Sequence, residues 1–324
     1  MDCTNKLKLV FGDLTLGVKG DAWQVIFNYM RGGIESLVTG GREWMYRAPQ
    51  PAFWRALTDN DRGSQFHLKS GCWLAADTFI KMTGAQVTVD GQHIALPIAP
   101  ENNRYTSDET ADSVAIAFTF ETLTVPAAKV TVTYTVTADG RINVACQYFG
   151  QKGLPQMPVF GLRMVMPTMA TGFTYEGLSG ETYPDRMAGG VPGVYEVKGL
   201  PVTPYMVPQD CGMHMETKWV EIRRDTQLAN TANPPESALK ITMDDKPFAF
   251  SCLPYTAEEL ENATHHEELP PARRTVLCVY GAVRGVGGIN SWGADVEEAY
   301  HLSAEEDMAF SFNIELEGCS PSAF

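Results

Sequence analysis

Strict two-residue alternation of apolar and polar side chains is the feature that most restricts what this chain can fold into. Val114, Ile116, Phe118 and Phe120 share one parity, and so do Val130, Val132, Tyr134 and Val136. The hairpin signal Ala138-Asp139-Gly140 follows, and then Ile142, Val144, Cys146 and Tyr148 resume the pattern. Met308, Phe310, Phe312, Ile314 and Leu316 repeat it near the C-terminus. Successive side chains of a strand point to opposite faces, so each run buries one face and wets the other, as antiparallel strands do. Helical signals are few. Thr256-Ala257-Glu258-Glu259 has capping-box spacing and predicts a short helix over about residues 257–263. Prolines (20) and glycines (29) punctuate the runs, and no repeat or linker divides them. The expectation is one all-β domain over residues 1–324, a large two-sheet antiparallel sandwich with long loops.

At 44% hydrophobic residues over 324 positions, the chain can fill a large core. Its net charge of −14 argues against nucleic acid and anionic membranes as partners, since both attract basic patches. No apolar run reaches the length of a membrane span, and the segment from Met1 to Lys6 carries no signal-peptide core. A cytoplasmic location is expected. Seven scattered cysteines, none in a CxxC, point to reduced thiols rather than disulfides or a zinc site.

The sequence feature most suggestive of function is Gly285-Val286-Gly287-Gly288-Ile289-Asn290-Ser291-Trp292-Gly293. Three glycines in four positions allow a tight loop with φ > 0 and close backbone approach. Such a loop can present Trp292 as a flat apolar platform for the C–H face of a sugar ring. The plainer alternative is a core tryptophan on a bent strand.

Other clusters read first as braces. In Phe53-Trp54-Arg55-Ala56-Leu57-Thr58-Asp59-Asn60-Asp61-Arg62-Gly63, the Asp59-x-Asp61 pair lacks the remaining ligand spacing of a calcium loop. Arg55, Asp59, Asn60, Asp61 and Gly63 fit a turn that supports a functional loop. Gly63 is expected at φ > 0, as a hinge for the polar segment Ser64 to Ser70. Tyr183-Pro184-Asp185-Arg186 suits a structured loop, and two prolines make Thr203 to His214 an edge or loop, with His214 structural. His265 and His266 are adjacent and cannot share a helix face, which argues against a metal there. The run from Trp44 to Trp54 is aromatic-rich and is expected to face a partner protein. Among catalytic signatures, G-x-S-x-G, H-E-x-x-H, the P-loop and the dinucleotide fingerprint are all missing. The 39 acidic residues single out no catalytic carboxylate pair.

Taken in order, the clusters resemble the C-terminal domain of family 2 β-galactosidases. The matching residues are Phe53-Trp54-Arg55-Ala56 with Asp59-Asn60-Asp61-Arg62-Gly63, Gly177-Leu178 with Glu181 and Tyr183-Pro184-Asp185-Arg186, and Pro204-Tyr205 with Pro208-Gln209 and Gly212. Further on come Leu260, Ala263, His265, Glu268 and Leu269, then Gly285-Val286-Gly287-Gly288 with Ser291-Trp292-Gly293. With Met1 just ahead of this domain, the chain is most similar to the small subunits of two-gene β-galactosidases. It departs from the single-chain pattern at Cys211 and His214, where an Asn and an Arg are usual. The resemblance implies a galactose mutarotase-like sandwich and no catalytic residue on this chain. It also implies a large catalytic partner subunit that carries both catalytic glutamates in a TIM barrel. The implied reaction is retaining hydrolysis of lactose and other β-galactosides, with galactosyl transfer as a side reaction. No cofactor is expected on this chain, whereas magnesium, and in some members sodium, would sit on the large subunit. Trp292 would stack on the substrate. Competing readings are a freestanding aldose 1-epimerase, for which His265 and Glu268 are the only acid–base pair on offer, and a carbohydrate-binding module.

Overall fold

The computed structural model describes residues 6–96, 108–228 and 235–316; Cys3 and Cys319 lie outside them. Every strand pairing in it is antiparallel, as the alternation requires. Val114, Ile116, Phe118 and Phe120 pair with Val136, Tyr134, Val132 and Val130 and are essentially buried. Thr137 and Arg141 close the next hairpin, with Gly140 at φ 82° in its turn.

These strands belong to a ten-stranded sheet that runs from the edge strand Pro192–Lys198 to the edge strand Gln92–Ile94, with Met308–Glu315 between Ser237–Met243 and Arg141–Phe149. Two further sheets complete the fold. A five-stranded sheet has the order Met213–Thr217, Phe248–Leu253, Thr275–Val283, Val159–Met166, Arg47–Ala52. A six-stranded sheet is built from the N-terminal strands between Leu7 and Glu43 plus Thr110–Ala111. One apolar cluster joins all three sheets: Val25 and Phe27 of the six-stranded sheet, Tyr134 and Val144 of the ten-stranded one, and Phe160 and Leu162 of the five-stranded one. The expected all-β antiparallel architecture therefore holds, with three sheets around one shared core instead of the two expected.

Strand Val159–Met166 is buried on both faces. Its inner side chains enter the main core, while its outer ones join a second cluster with Tyr183, Met213 and Tyr280. Loops 53–77, 181–187, 203–212, 253–269 and 284–301 supply the groups described next. Three short helices lie in them: α1 (Asp59–Gly63), α2 (Phe66–Ser70) and α3 (Ala257–Asn262). α3 matches the expected helix and has the reciprocal Thr256–Glu259 cap. Trp44 and Trp54 are 0% and 4% exposed, so these two rings cannot form the expected partner-facing surface, whereas Tyr46 between them is 55% exposed. The tryptophan rings supply core volume, and Trp44 stacks beneath the buried Arg224 guanidinium.

Candidate functional site

Segment 53–63 is held from both ends. Leu57 N and Trp54 Nε1 donate to Glu261 Oε2 of α3 at 2.7 and 3.3 Å. Thr58 caps α1: its hydroxyl accepts from Asp61 N, and Asp61 Oδ2 accepts from Thr58 N at 2.9 Å and Thr58 Oγ1 at 2.8 Å. The same carboxylate accepts from both terminal guanidinium nitrogens of Arg55, at 2.6 and 3.3 Å, and lies 3.7 Å from Arg284 Nη1. All three side chains are 1% exposed. Burial alone would raise the Asp61 carboxyl, but the Arg55 charge and the hydrogen bonds from Arg55 and Thr58 outweigh it and hold it below the usual range.

This buried group grips the glycine-rich loop. Arg55 Nη2 donates to Gly285 O at 3.3 Å. Asp185 receives Val286 N at 3.0 Å and Gly287 N at 2.8 Å, one on each carboxylate oxygen, and Arg186 donates to the Gly287 carbonyl. Asn290 Oδ1 accepts from Trp292 N at 2.9 Å and turns the chain at the tip.

The glycines act in two ways. Gly287, Gly288 and Gly293 have φ of 70°, 80° and 73°. Gly285 has no positive φ, but a β-carbon there would lie 2.6 Å from Val296 and 2.9 Å from Asp185. A β-carbon on Gly293 would lie 2.4 Å from the Gly63 carbonyl oxygen, and one on Gly288 would lie 2.6 Å from Asn60 Nδ2. The two clusters distant in sequence thus meet backbone to backbone. Between them lies a cleft of about 150 Å³ lined by Asp59, Asn60, Gly63, Asn290, Ser291 and Gly293.

Trp292 stands at this cleft 90% exposed, so the core-tryptophan alternative is excluded. Ile289 beside it is also exposed, as are Leu68 on α2 and Met206 in the proline-containing loop. Asp59 is exposed, pairs with Arg62 at 3.3 Å, and has its backbone N bonded to Gln209 Oε1 at 2.9 Å. Gly63 does not have the expected positive φ; it is the last residue of α1. The segment after it is largely helical rather than a polar loop, with Gln65 at φ 59° and with Phe66 and Ser70 buried. The strain expected at Gly63 resides at Gln65, because α1 ends there and the chain must turn before α2.

Beneath the site, Tyr183 donates to Asp210 Oδ2 at 2.8 Å. Burial pushes the Asp210 carboxyl up to about 7, against the opposing pull of Arg55 and Tyr183. His214 is boxed by Phe173, Tyr175 and Phe250 and donates from Nδ1 to Gly180 O at 2.8 Å, since a carbonyl can only accept. Burial lowers its pKa to about 4, so it is neutral and structural. His265 and Glu268 lie 3.4 Å apart on the open surface, 62% and 47% exposed. Among the described residues no three His, Cys, Asp or Glu gather as metal ligands. Among the described residues no helix is long and apolar enough to cross a membrane.

Comparisons with known proteins bear on this geometry. The family model described as beta galactosidase small chain matches residues 19–314. The β-galactosidase small subunit of Latilactobacillus sakei is 63% identical, over 96% of this chain and 98% of that protein. A β-galactosidase of Streptococcus thermophilus is 31% identical over 95% of this chain but only 28% of its own length, and one from Halalkalibacterium halodurans is 32% identical over a similar share. Among solved structures, a galactose mutarotase-like protein from Lactobacillus casei aligns with 93% of this chain and 99% of its own, at a TM-score of 0.41 and 11% identity.

Proposed function

This chain belongs to the beta galactosidase small chain family, and on that premise we propose that it is the small subunit that completes the sugar pocket of a large catalytic β-galactosidase chain. The large chain supplies both catalytic glutamates for retaining hydrolysis of lactose and other β-galactosides, and it holds the magnesium, and in some members the sodium. This chain supplies one wall of the pocket, with Trp292 stacked on the apolar face of the sugar. The observation that carries the reading is an aromatic ring 90% exposed on a loop whose base is fixed by Arg55, Asp185 and Arg186. Large exposed aromatics held rigidly are contact surfaces, since ordering them costs little further entropy. The exposure of the His265–Glu268 pair favours the subunit reading over the epimerase one, which would need an acid–base pair enclosed with its sugar.

The test is Trp292→Ala in the co-expressed pair, assayed with o-nitrophenyl galactoside. Loss of the stacking contact, on the order of 1–3 kcal/mol, should weaken substrate binding roughly tenfold to a hundredfold. Assembly and the melting temperature of the small chain should not change. The purified small chain alone should show no turnover. Wild-type kinetics in the assembled variant would sink the role of Trp292, and turnover by the isolated chain would sink the division of labour.

A further inference from the structure

A second contact surface lies where the three sheets meet. The turn at Met30-Arg31, the edge strand Arg47–Ala52, Thr78 and Arg163 line a cleft of about 420 Å³. It brings three arginines together in a chain of net charge −14. Arg163 is nearly buried, 2.6 Å from Asp77 Oδ2 as a charge contact, and it donates to Glu258 Oε1 at 3.1 Å. Its charge is therefore answered from within. Arg31 and Arg47 are exposed, and neither guanidinium makes a hydrogen bond or ion pair among the described residues. Partial burial lowers the Arg47 pKa, and the positive charges of Arg163 and Arg274 lower it further, more than Glu258 and Glu259 raise it. Arg47 thus sits in surroundings that call for an anion. Gln50 pairs with Arg163 across the strands and adds a neutral donor to the same cleft.

We infer that this cleft receives a carboxylate side chain of the large partner chain, held in fork geometry by Arg31 and Arg47. The proposal rests on the heteromer reading above and adds a location and a chemistry to it. Two features favour a protein carboxylate over a free anion. Met30, Phe79 and Tyr46, which are in the cleft or next to its lining residues in the chain, are 66%, 64% and 55% exposed. Met, Phe, Tyr and Arg together are the composition of an interface core, and a free anion would leave the apolar members uncovered. In addition, the net charge repels small dissolved anions at long range, whereas a docked chain adds apolar contact to the ion pair.

The experiment is association of the small chain with the co-expressed large chain, comparing wild type with Arg31→Glu/Arg47→Glu at several salt concentrations. Reversing both charges should weaken assembly by roughly 30-fold or more, and added salt should narrow the gap. The isolated variant should melt like wild type, because both side chains are exposed and unpaired. Equal association by the variant would overturn the inference while leaving the heteromer reading intact. A wild-type chain that does not associate with the large chain would overturn both. Micromolar binding of inorganic phosphate to the isolated chain, or self-association lost in the variant, would overturn the assignment to a partner carboxylate.

Discussion

Two capping boxes of nearly identical geometry sit at the feet of the two proposed contact surfaces. Thr58 has φ −78° and ψ 165°, Thr256 has φ −79° and ψ 163°, and each is closed by the acid three residues on. Asp61 is buried between Arg55 and Arg284 and anchors the Trp292 loop. Glu259 is partly exposed and pairs with Arg274, on the short helix whose Glu258 holds Arg163 at the arginine cleft. The local motif is the same, but the surroundings differ. A buried charge left unpaired is far more costly than a wet one, so the two boxes carry different energies.

The largest difference is expected on removing the two acids. Asp61→Asn leaves the buried Arg55 guanidinium without its paired carboxylate, while Arg284 keeps Asp295, and should cost about 3–5 kcal/mol, whereas Glu259→Gln should cost about 1 kcal/mol. Urea denaturation of the isolated chains reads both values, and equal costs would break the comparison. Next comes Gly293→Ala. It combines a positive φ with a clash against the Gly63 carbonyl and should cost roughly 2–3 kcal/mol, with a shift in Trp292 fluorescence.

A pH profile sharpens the contrast. Asp210 beneath the Trp292 site has its pKa raised from 3.8 to about 7, so the native state holds a proton that the unfolded chain releases. Its contribution is present below about pH 4 and is lost as pH rises to about 7. His214, lowered from 6.5 to about 4, acts in the opposite sense, adding stability as pH rises between those values. Asp210→Asn should therefore become relatively more stable than wild type as pH rises from 4 to 7. Melting temperatures that track each other in parallel across that range would refute it. The smallest effect is expected for Gly63→Ala, within about 1 kcal/mol of wild type. Its backbone is helical, and the new methyl would meet Gly293 Cα at an ordinary 3.5 Å.

The fold was legible where the signal is local. Alternation at Val114–Phe120 and Val130–Val136 identified both strands and their buried faces, and the capping-box spacing at Thr256 located α3. The Asp185-Arg186 brace was legible as a structured loop, and the exposure of Trp292 followed from the resemblance, since glycine spacing alone left a core tryptophan open. Gly63 was misread because composition alone does not reveal which residue of a turn takes the left-handed conformation; Gln65 does. Trp44 and Trp54 were misread because aromatic density does not show which way the rings point, and both point into the core.

By itself, the sequence determined the all-β class, the parity of the alternating strands and the Thr256 helix cap, since these follow from interactions within a few residues. Only the tertiary structure decided that Asp61 meets Arg284, that Gly63 touches Gly293, and that Arg31, Arg47 and Arg163 share one cleft. Those partners are separated by between 16 and about 230 positions in the chain. Their contacts depend on which loops and edges the three sheets bring side by side, and no short-range periodicity encodes that.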